Sequence, residues 1–285
     1  MKKIFLTGIM ALSSIIGMAQ SEMISNPIGS VFAREGGETP AGTFRFTSGG
    51  YEVYTIHSSD KSSQPVSLYY GENNVDKEKV DAMAPDGCVP TSMSYFLVKT
   101  TDGIVMFDTG LPSAKGGKTE EHLSSLNISP KDIKAVYLTH GHFDHIGGLL
   151  DNDGNAVFPN ATLYISSDEL ASIRTSMSEA TARIEKAYIG RLVAFGFGEI
   201  LPGNVLPISA KDHTPGHTAY RLGQLLFVGD LMHGASLQLL DPTICANYDA
   251  DRQQAIDSRN RILSYAVSNS LTVLCAHVPG NGIIF

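Results

Sequence analysis

The chain has few of the residues that mark several large classes of protein. Its 285 residues include only three cysteines, so at most one disulfide can form, and a fold held together by several disulfides is excluded. Basic residues are also scarce: 21 lysines and arginines stand against 29 aspartates and glutamates, which gives a formal net charge of -8. Because contact with a phosphate backbone requires a basic face, this balance argues against a nucleic-acid partner.

The N-terminal apolar stretch falls short of a membrane span. It runs from Ile4 to Met18, is interrupted by three polar residues, and is shorter than the roughly twenty residues that a transmembrane helix needs. Two lysines precede it and small residues follow it, which is typical of a bacterial secretory signal. We therefore expect residues 1–19 to be a signal peptide cleaved near Ala19, with a periplasmic or secreted location and no membrane anchor after cleavage.

The remainder of the chain has the composition of one domain. No Pro/Ser-rich or charged linker divides it, and hydrophobic residues make up 42% of the sequence, which is enough for a sizeable core. We expect residues 20–285 to fold as a single domain.

What the chain does contain is a dense cluster of metal-binding side chains. The run THGHFDHIGG brings His140, His142, Asp144 and His145 within six residues, with no cysteine among them. Imidazole and carboxylate ligands suit zinc, iron or manganese, whereas structural zinc sites are usually rich in thiolates. His140 and His142 project to one side of an extended segment, while the adjacent Asp144 and His145 diverge. The simplest geometry is two ions side by side, and the alternative is a histidine-rich surface turn.

Three more candidate ligands follow along the chain. His217 lies in a turn-forming Pro-Gly run. Asp230 follows an apolar strand that begins at Leu225, and His277 follows one that begins at Leu271. Side chains at the ends of rigid strands can converge on one site at the edge of a sheet. Each residue taken alone could equally be a polar strand cap or a turn residue, but together they complete a set of seven ligands.

The order of these residues resembles the metallo-β-lactamase superfamily in its dinuclear hydrolase form. The resemblance implies that Asp230 bridges two ions. It further implies this division of ligands: His140, His142 and His217 on the first ion, and Asp144, His145 and His277 on the second.

The C-terminal third resembles one branch of that superfamily, which contains methyl parathion hydrolase and related lactonases and arylesterases. The matching features are GDLMH from Gly229, Asp241-Pro242, Asp249-x-Asp251 and Arg259. That branch usually has a further strand after the last histidine, whereas this sequence stops at Phe285. The sequence therefore does not indicate which segment forms the closing edge of the second sheet.

The resemblance implies an α+β fold, an αββα sandwich of two mixed β-sheets flanked by helices. Capping patterns predict helix starts at Ser129, Ser166 and Asp251. The resemblance implies that the connection from Leu170 to Gly198 helps wall the substrate pocket, and the alternative is that its apolar residues are only helix core. Hydrophobic patterning predicts strands at 93–98, 104–108, 135–139, 161–165, 205–208, 220–222, 225–229 and 271–275.

The chemistry expected from such a site is hydrolysis of a small molecule by a hydroxide shared between two divalent ions. Zinc is the first choice, with iron, manganese or cobalt as alternatives. Asp144 is the expected catalytic residue, Asp108 and His213 are expected to orient metal ligands, and His233 is expected to contact substrate. Lactones or carboxylic aryl esters fit best. The alternatives are a phosphotriesterase and an extracytoplasmic metal-binding protein without catalysis.

Overall fold

The computed structural model describes residues 40–59, 62–211 and 213–285. The expected signal peptide lies outside these residues. No helix within them is long and apolar enough to cross a membrane. The described residues form thirteen strands: β1 (Thr43–Ser48), β2 (Tyr51–His57), β3 (Ser63–Pro65), β4 (Cys88–Pro90), β5 (Ser94–Thr100), β6 (Gly103–Phe107), β7 (Ile133–Tyr137), β8 (Thr162–Ser166), β9 (Leu192–Phe195), β10 (Val205–Ser209), β11 (Thr218–Leu222), β12 (Leu225–Phe227) and β13 (Thr272–Leu274).

The strands form two principal mixed sheets. The larger has the order β1-β2-β5-β6-β7-β8-β9, antiparallel as far as β6 and parallel from β6 to β9. The smaller has the order β10-β11-β12-β13, with only the last pair parallel. Strands β3 and β4 form a separate antiparallel pair. All eight predicted strands are present, with ends shifted by at most two residues.

The outer edge of the smaller sheet is occupied by the last residues of the sequence. Ile284 donates its backbone N–H to Val273 and Val273 donates to Phe285, at 2.9 Å each, and Ile283 forms an antiparallel bridge with Leu274. The edge that the sequence left open is therefore covered by residues 282–285.

Seven helices lie in the described residues: α1 (Lys77–Met83), α2 (Thr119–Ser125), α3 (Phe143–Ile146), α4 (Ser167–Ser176), α5 (Ser178–Ala187), α6 (Ala235–Gln238) and α7 (Arg252–Ser268). The predicted starts at Ser166 and Asp251 are present, and each side chain caps its helix by accepting a backbone N–H three residues later. The start predicted at Ser129 is present too, with its capping box and Pro130 in the first position, but it opens only a single 3-10 turn before β7 begins at Ile133.

Three apolar layers hold the sandwich together. Between the sheets, Phe107 of β6 and Phe227 of β12 stack with ring centroids 3.7 Å apart. On the outer face of the larger sheet, Met106 and Leu163 pack with residues of α4 and α5, and on the outer face of the smaller sheet Val273 packs with α7. The arrangement confirms the predicted αββα sandwich.

Candidate metal centre

One edge of the sandwich receives the ends of four strands. Strand β6 is followed by Asp108, β7 by the run that contains His140, β12 by Asp230 and β13 by His277. Because β6 and β7 are parallel in one sheet and β12 and β13 are parallel in the other, these four ends meet at the mouth between the sheets.

The side chains at this edge form four overlapping groups of metal-binding atoms, and within each group the ligand atoms lie within 4.8 Å of one another. The first group is His140, His142, His213 and Asp230, and the second is Asp144, His145 and His277. The other two contain His233, with His213 and Asp249 in one and with Asp230 and His277 in the other. Asp230 contacts both of the first two groups. Its Oδ1 lies 2.9 Å from His145 Nε2, and its Oδ2 lies 3.1 Å from His277 Nε2 and 3.6 Å from His140 Nε2. A carboxylate in this position can bridge two ions.

The structure places His213, and not His217, in the first group. His213 Nε2 lies 2.9 Å from His142 Nδ1 and 3.3 Å from Asp230 Oδ2. Both ring nitrogens of His217 instead face backbone atoms: Nδ1 is 2.9 Å from the Ala210 carbonyl, and Nε2 accepts the N–H of Asp230 at 3.1 Å. This exchanges the roles expected for the two histidines, since His217 has no ring nitrogen left for an ion.

Several expected ligands are oriented by a buried hydrogen-bond partner. Asp108, which is 3% exposed and has a positive φ of 61°, lies with Oδ2 2.7 Å from His145 Nδ1. Its two oxygens also accept the N–H and the hydroxyl of Thr139, just before the His140 run. The Ser92 carbonyl lies 2.6 Å from His277 Nδ1. Such contacts fix which ring nitrogen faces the ion.

His213 is oriented by a residue to which the sequence gave no role. Asp249 Oδ1 lies 3.1 Å from His213 Nδ1, on the side of the ring away from Asp230. Behind it stands Arg259, 1% exposed, which donates to the carbonyls of Leu231, Pro242 and Ile244, with its Nη2 3.9 Å from Asp249 Oδ2. In the sequence, the Asp249-x-Asp251 and Arg259 pattern indicated a branch of the superfamily, but it did not indicate that Asp249 contacts His213.

His233 lies beside the first two groups. Its Nε2 is 3.0 Å from Asp230 Oδ2, and its ring lies edge-on to that of Tyr248, with centroids 4.6 Å apart. The side-chain amide of Gln64 donates to the His233 carbonyl at 2.9 Å. His233 thus forms part of the wall of the site, and its contact with substrate stays a prediction.

Burial and charge set the protonation of the cluster. Burial lowers the pKa of His142 to about 4 and that of His217 to about 3, so both rings are neutral at neutral pH. Burial also disfavours charge on His213, but hydrogen bonds to Asp230 and Asp249 outweigh it and raise the pKa of His213 to about 9. Burial opposes ionisation of Asp230 too, but the surrounding imidazoles, His145 first, hold the pKa of Asp230 well below its ordinary range.

The geometry of the cluster fits a pair of divalent cations. His142 Nδ1 lies 2.9 Å from both His140 Nε2 and His213 Nε2, and one proton at most can lie between any two of these nitrogens. Asp230 Oδ1 and His145 Nε2 are buried and close, yet neither has a hydrogen-bond partner within the described part of the chain. Converging nitrogen and oxygen donors without thiolate are the ligand type of zinc, iron, manganese or cobalt.

A cavity of about 350 Å³ opens over these groups. Its polar floor includes Asp144, Asp230 and His277, and its less polar wall is formed by Leu68, Met93, Phe143 and Tyr248. None of its lining residues comes from the stretch 170–198, all of which the structure describes, so this stretch does not wall the cavity over the ligand groups. Residues of α5 instead line a second cavity of about 340 Å³, which shares only Phe143 with the first.

Comparisons with known proteins agree with this geometry. A family model described as the metallo-beta-lactamase superfamily matches residues 89–277. The hydroxyacylglutathione hydrolase of Vibrio parahaemolyticus is 27% identical over 161 residues, which are 56% of this chain and 54% of that protein. The chain thus spans about half the length of that relative.

Two solved structures share the fold over most of the chain. The crystal structure of the hydrolase AbOPH in the beta lactamase superfamily is 25% identical, with a TM-score of 0.74, and the match covers 86% of this chain and 93% of that one. AidC, a dizinc quorum-quenching lactonase, is 22% identical, also with a TM-score of 0.74, and the match covers 85% and 92% of the two chains. These neighbours are hydrolases, and the protein described here belongs to the metallo-β-lactamase superfamily.

Proposed function

We propose that the protein is a dinuclear metal-dependent hydrolase that acts on lactones or carboxylic aryl esters. The observation that carries this proposal is the position of Asp230, whose carboxylate contacts imidazoles of the first two ligand groups. In the proposed set, His140, His142 and His213 would hold one ion and Asp144, His145 and His277 the other, and the Asp230 carboxylate contacts imidazoles of both sets. Zinc is the proposed metal, which suits this donor set.

Divalent cations held by such a set would supply the Lewis acidity that makes water nucleophilic near neutral pH. The protein contributes the arrangement around them. Asp144, with its carboxylate on the cavity floor, is placed to take the proton of the nucleophile and pass it to the leaving oxygen. Asp108 and Asp249 keep His145 and His213 turned toward the ions, and His233 holds the substrate against the wall.

The substrate class follows from the shape of the site. A cavity of about 350 Å³ with polar groups on its floor and apolar residues on its wall suits a small ester with an organic side group. Beyond Phe143, which is 42% exposed, the second cavity offers Ile146, Met177 and Ile184 to a longer apolar tail. The lactonase among the structural neighbours supports the same class.

A substrate panel tests this proposal. Lactones with short and long tails, aryl esters, phosphotriesters and a β-lactam are assayed with metal-replete protein, then after chelation and after return of zinc, manganese or cobalt. We expect lactone or aryl ester hydrolysis that chelation abolishes and metal restores. Phosphotriester turnover without lactone or ester activity would make the protein a phosphotriesterase, and protein that binds metal but hydrolyses nothing in the panel would be a metal-binding protein instead.

We also propose that residues 1–19 direct export and that the enzyme works in the periplasm or outside the cell. The support is the sequence pattern alone, two lysines followed by an apolar stretch and small residues. N-terminal sequencing of the exported protein is expected to begin near Gln20. An active cytoplasmic form that keeps Met1 would contradict the proposal.

A further inference from the structure

A buried carboxylate outside the ligand set ties two histidine-bearing loops together. Glu169, 1% exposed, lies in the first turn of α4. The spacing from Ser166 resembles a capping box, in which the glutamate would return to the N-cap backbone. Ser166 does accept the Glu169 N–H at 3.2 Å, but the Glu169 carboxylate extends to the loops instead.

The two oxygens of that carboxylate are divided between the loops. Oε1 accepts the N–H of Gly141, the residue between His140 and His142, at 2.8 Å. Oε2 accepts the Thr214 hydroxyl at 2.7 Å and the Gly216 N–H at 2.9 Å, both in the loop that begins at His213. One side chain therefore connects segments that lie more than seventy residues apart in the sequence.

Both loops also rest directly on α4. A methyl group at Gly141 would lie 2.2 Å from Ile173 Cγ2, and one at Gly216 would lie 2.1 Å from the Glu169 nitrogen. The Gly216 carbonyl accepts the Ser166 hydroxyl at 2.7 Å. Glycine at both positions is required by this close approach, so the first two turns of α4 support the two loops.

We propose that Glu169 is a positioning residue that sets the separation of the His140–His142 loop from the His213 loop, so that the three imidazoles reach one ion. The inference rests on the proposed function, since it assumes an ion between these loops. Two other contacts join them. One is between ligand rings themselves, His213 Nε2 and His142 Nδ1 at 2.9 Å, and the other is the backbone contact of the Thr218 N–H with the Thr139 carbonyl at 2.9 Å, which lies before His140 and after His213. Glu169 holds the loops on the ligand side of that backbone contact.

The test uses two substitutions that fail in different ways. Glu169→Gln keeps the length of the side chain but replaces one acceptor by an N–H₂ group, which then faces a backbone N–H. Glu169→Asp keeps both acceptors but is one methylene too short to reach both loops. The matched control is Thr181→Val, since Thr181 is buried and its hydroxyl donates to carbonyls of Ile173 and Met177 at 3.0 and 2.9 Å, next to α4 but away from the ligand loops.

Zinc affinity is measured by competition with a chromophoric chelator, and the melting temperature of the metal-free proteins is measured beside it. We expect both Glu169 variants to bind the weaker of two zinc ions about 10- to 100-fold less tightly than Thr181→Val, with activity recovering as zinc is raised. Affinities within threefold of the control would overturn the inference. Should a Glu169 variant fail to fold, Thr214→Val, which removes one of the three donors, is measured in its place and judged by the same threefold limit.

The wild-type protein separates the two proposals. If it binds fewer than two zinc ions, the proposed function fails and the role of Glu169 fails with it. If it binds two and the Glu169 variants bind zinc like the control, only the role of Glu169 is overturned.

Discussion

Two histidines four residues apart offer the sharpest test of the site. His213→Ala removes a ring whose Nε2 lies 2.9 Å from His142 Nδ1 and 3.3 Å from Asp230 Oδ2. His217→Ala removes a ring bonded only to the Ala210 carbonyl and the Asp230 N–H. The first change is expected to act on metal binding, and the second on the stability of the fold.

The expected magnitudes differ in kind. Loss of His213 deprives one ion of a direct ligand, so we expect one tightly bound ion and a fall in turnover of roughly 1000-fold, about 4 kcal/mol of transition-state stabilisation. Loss of His217 leaves two buried backbone groups without partners, at about 1–3 kcal/mol each. We therefore expect His217→Ala to lower the free energy of unfolding by about 3–5 kcal/mol and the melting temperature by about 10 °C.

The assay combines elemental analysis after saturation with zinc and urea unfolding of the metal-free proteins. Saturating zinc is needed because His217 also holds the Asp230 backbone, and its loss is expected to weaken metal binding about tenfold. Two ions in His213→Ala and one in His217→Ala would refute the assignment made from the geometry.

Three further predictions concern other parts of the molecule. Asp230→Asn is expected to abolish the metal pair and to lower turnover by about 1000-fold while circular dichroism stays unchanged, and retention of two ions with near-normal rate would exclude a bridging role. Phe143→Ala is expected to raise the KM for long-tailed lactones severalfold and to leave the KM for short-tailed lactones nearly unchanged. Equal effects on both would show that the second cavity does not bind the tail. Glu52→Gln is expected to cost less than about 1 kcal/mol of stability at pH 7, because its ion pairs with Lys99 and Arg45 are largely solvated. Burial opposes ionisation of Glu52, but hydrogen bonds from Lys99, Tyr54 and Arg45 together outweigh it and lower the pKa of Glu52 from 4.5 to about 2. The stability difference between Glu52→Gln and wild type should therefore be full above pH 5 and shrink as the pH falls toward 2. A difference in urea unfolding that grows on acidification would contradict this sign.

Local patterns in the sequence were sufficient for eight of the thirteen described strands and for most of the centre, whereas the αββα arrangement followed from the resemblance and β1–β4 and β9 were not predicted. The eight predicted strands are apolar runs bounded by turn residues, and His140, His142, Asp144 and His145 are close in space because they are close in the chain. Strand ends that carry Asp230 and His277 could be recognised in the same way, since a polar residue after a buried strand leaves the core there.

What could not be predicted depends on contacts between distant segments. His213 and His217 are chemically alike and flank the same turn, and only the position of Asp230 decides which ring faces the ions. Glu169 fits a local capping pattern, so nothing in its neighbourhood indicates that its carboxylate contacts loops at Gly141 and Gly216. The stretch 170–198 carries apolar residues, but which cavity they line follows from how α5 packs on the larger sheet.

The backbone of Asp108 has a consequence for any attempt to make the protein more robust. Its φ of 61° lies where an ordinary side chain costs about 1–2 kcal/mol and glycine costs almost nothing. Protein engineering that ranks substitutions by backbone strain would therefore favour Asp108→Gly as a stabilising change. The same change would delete the carboxylate that faces Thr139 and His145. It would also leave the Thr139 N–H and the His145 ring nitrogen without their buried partner, at about 1–3 kcal/mol each, which exceeds the strain relieved. A ranking by backbone strain alone is therefore expected to propose a less stable and inactive protein at this position.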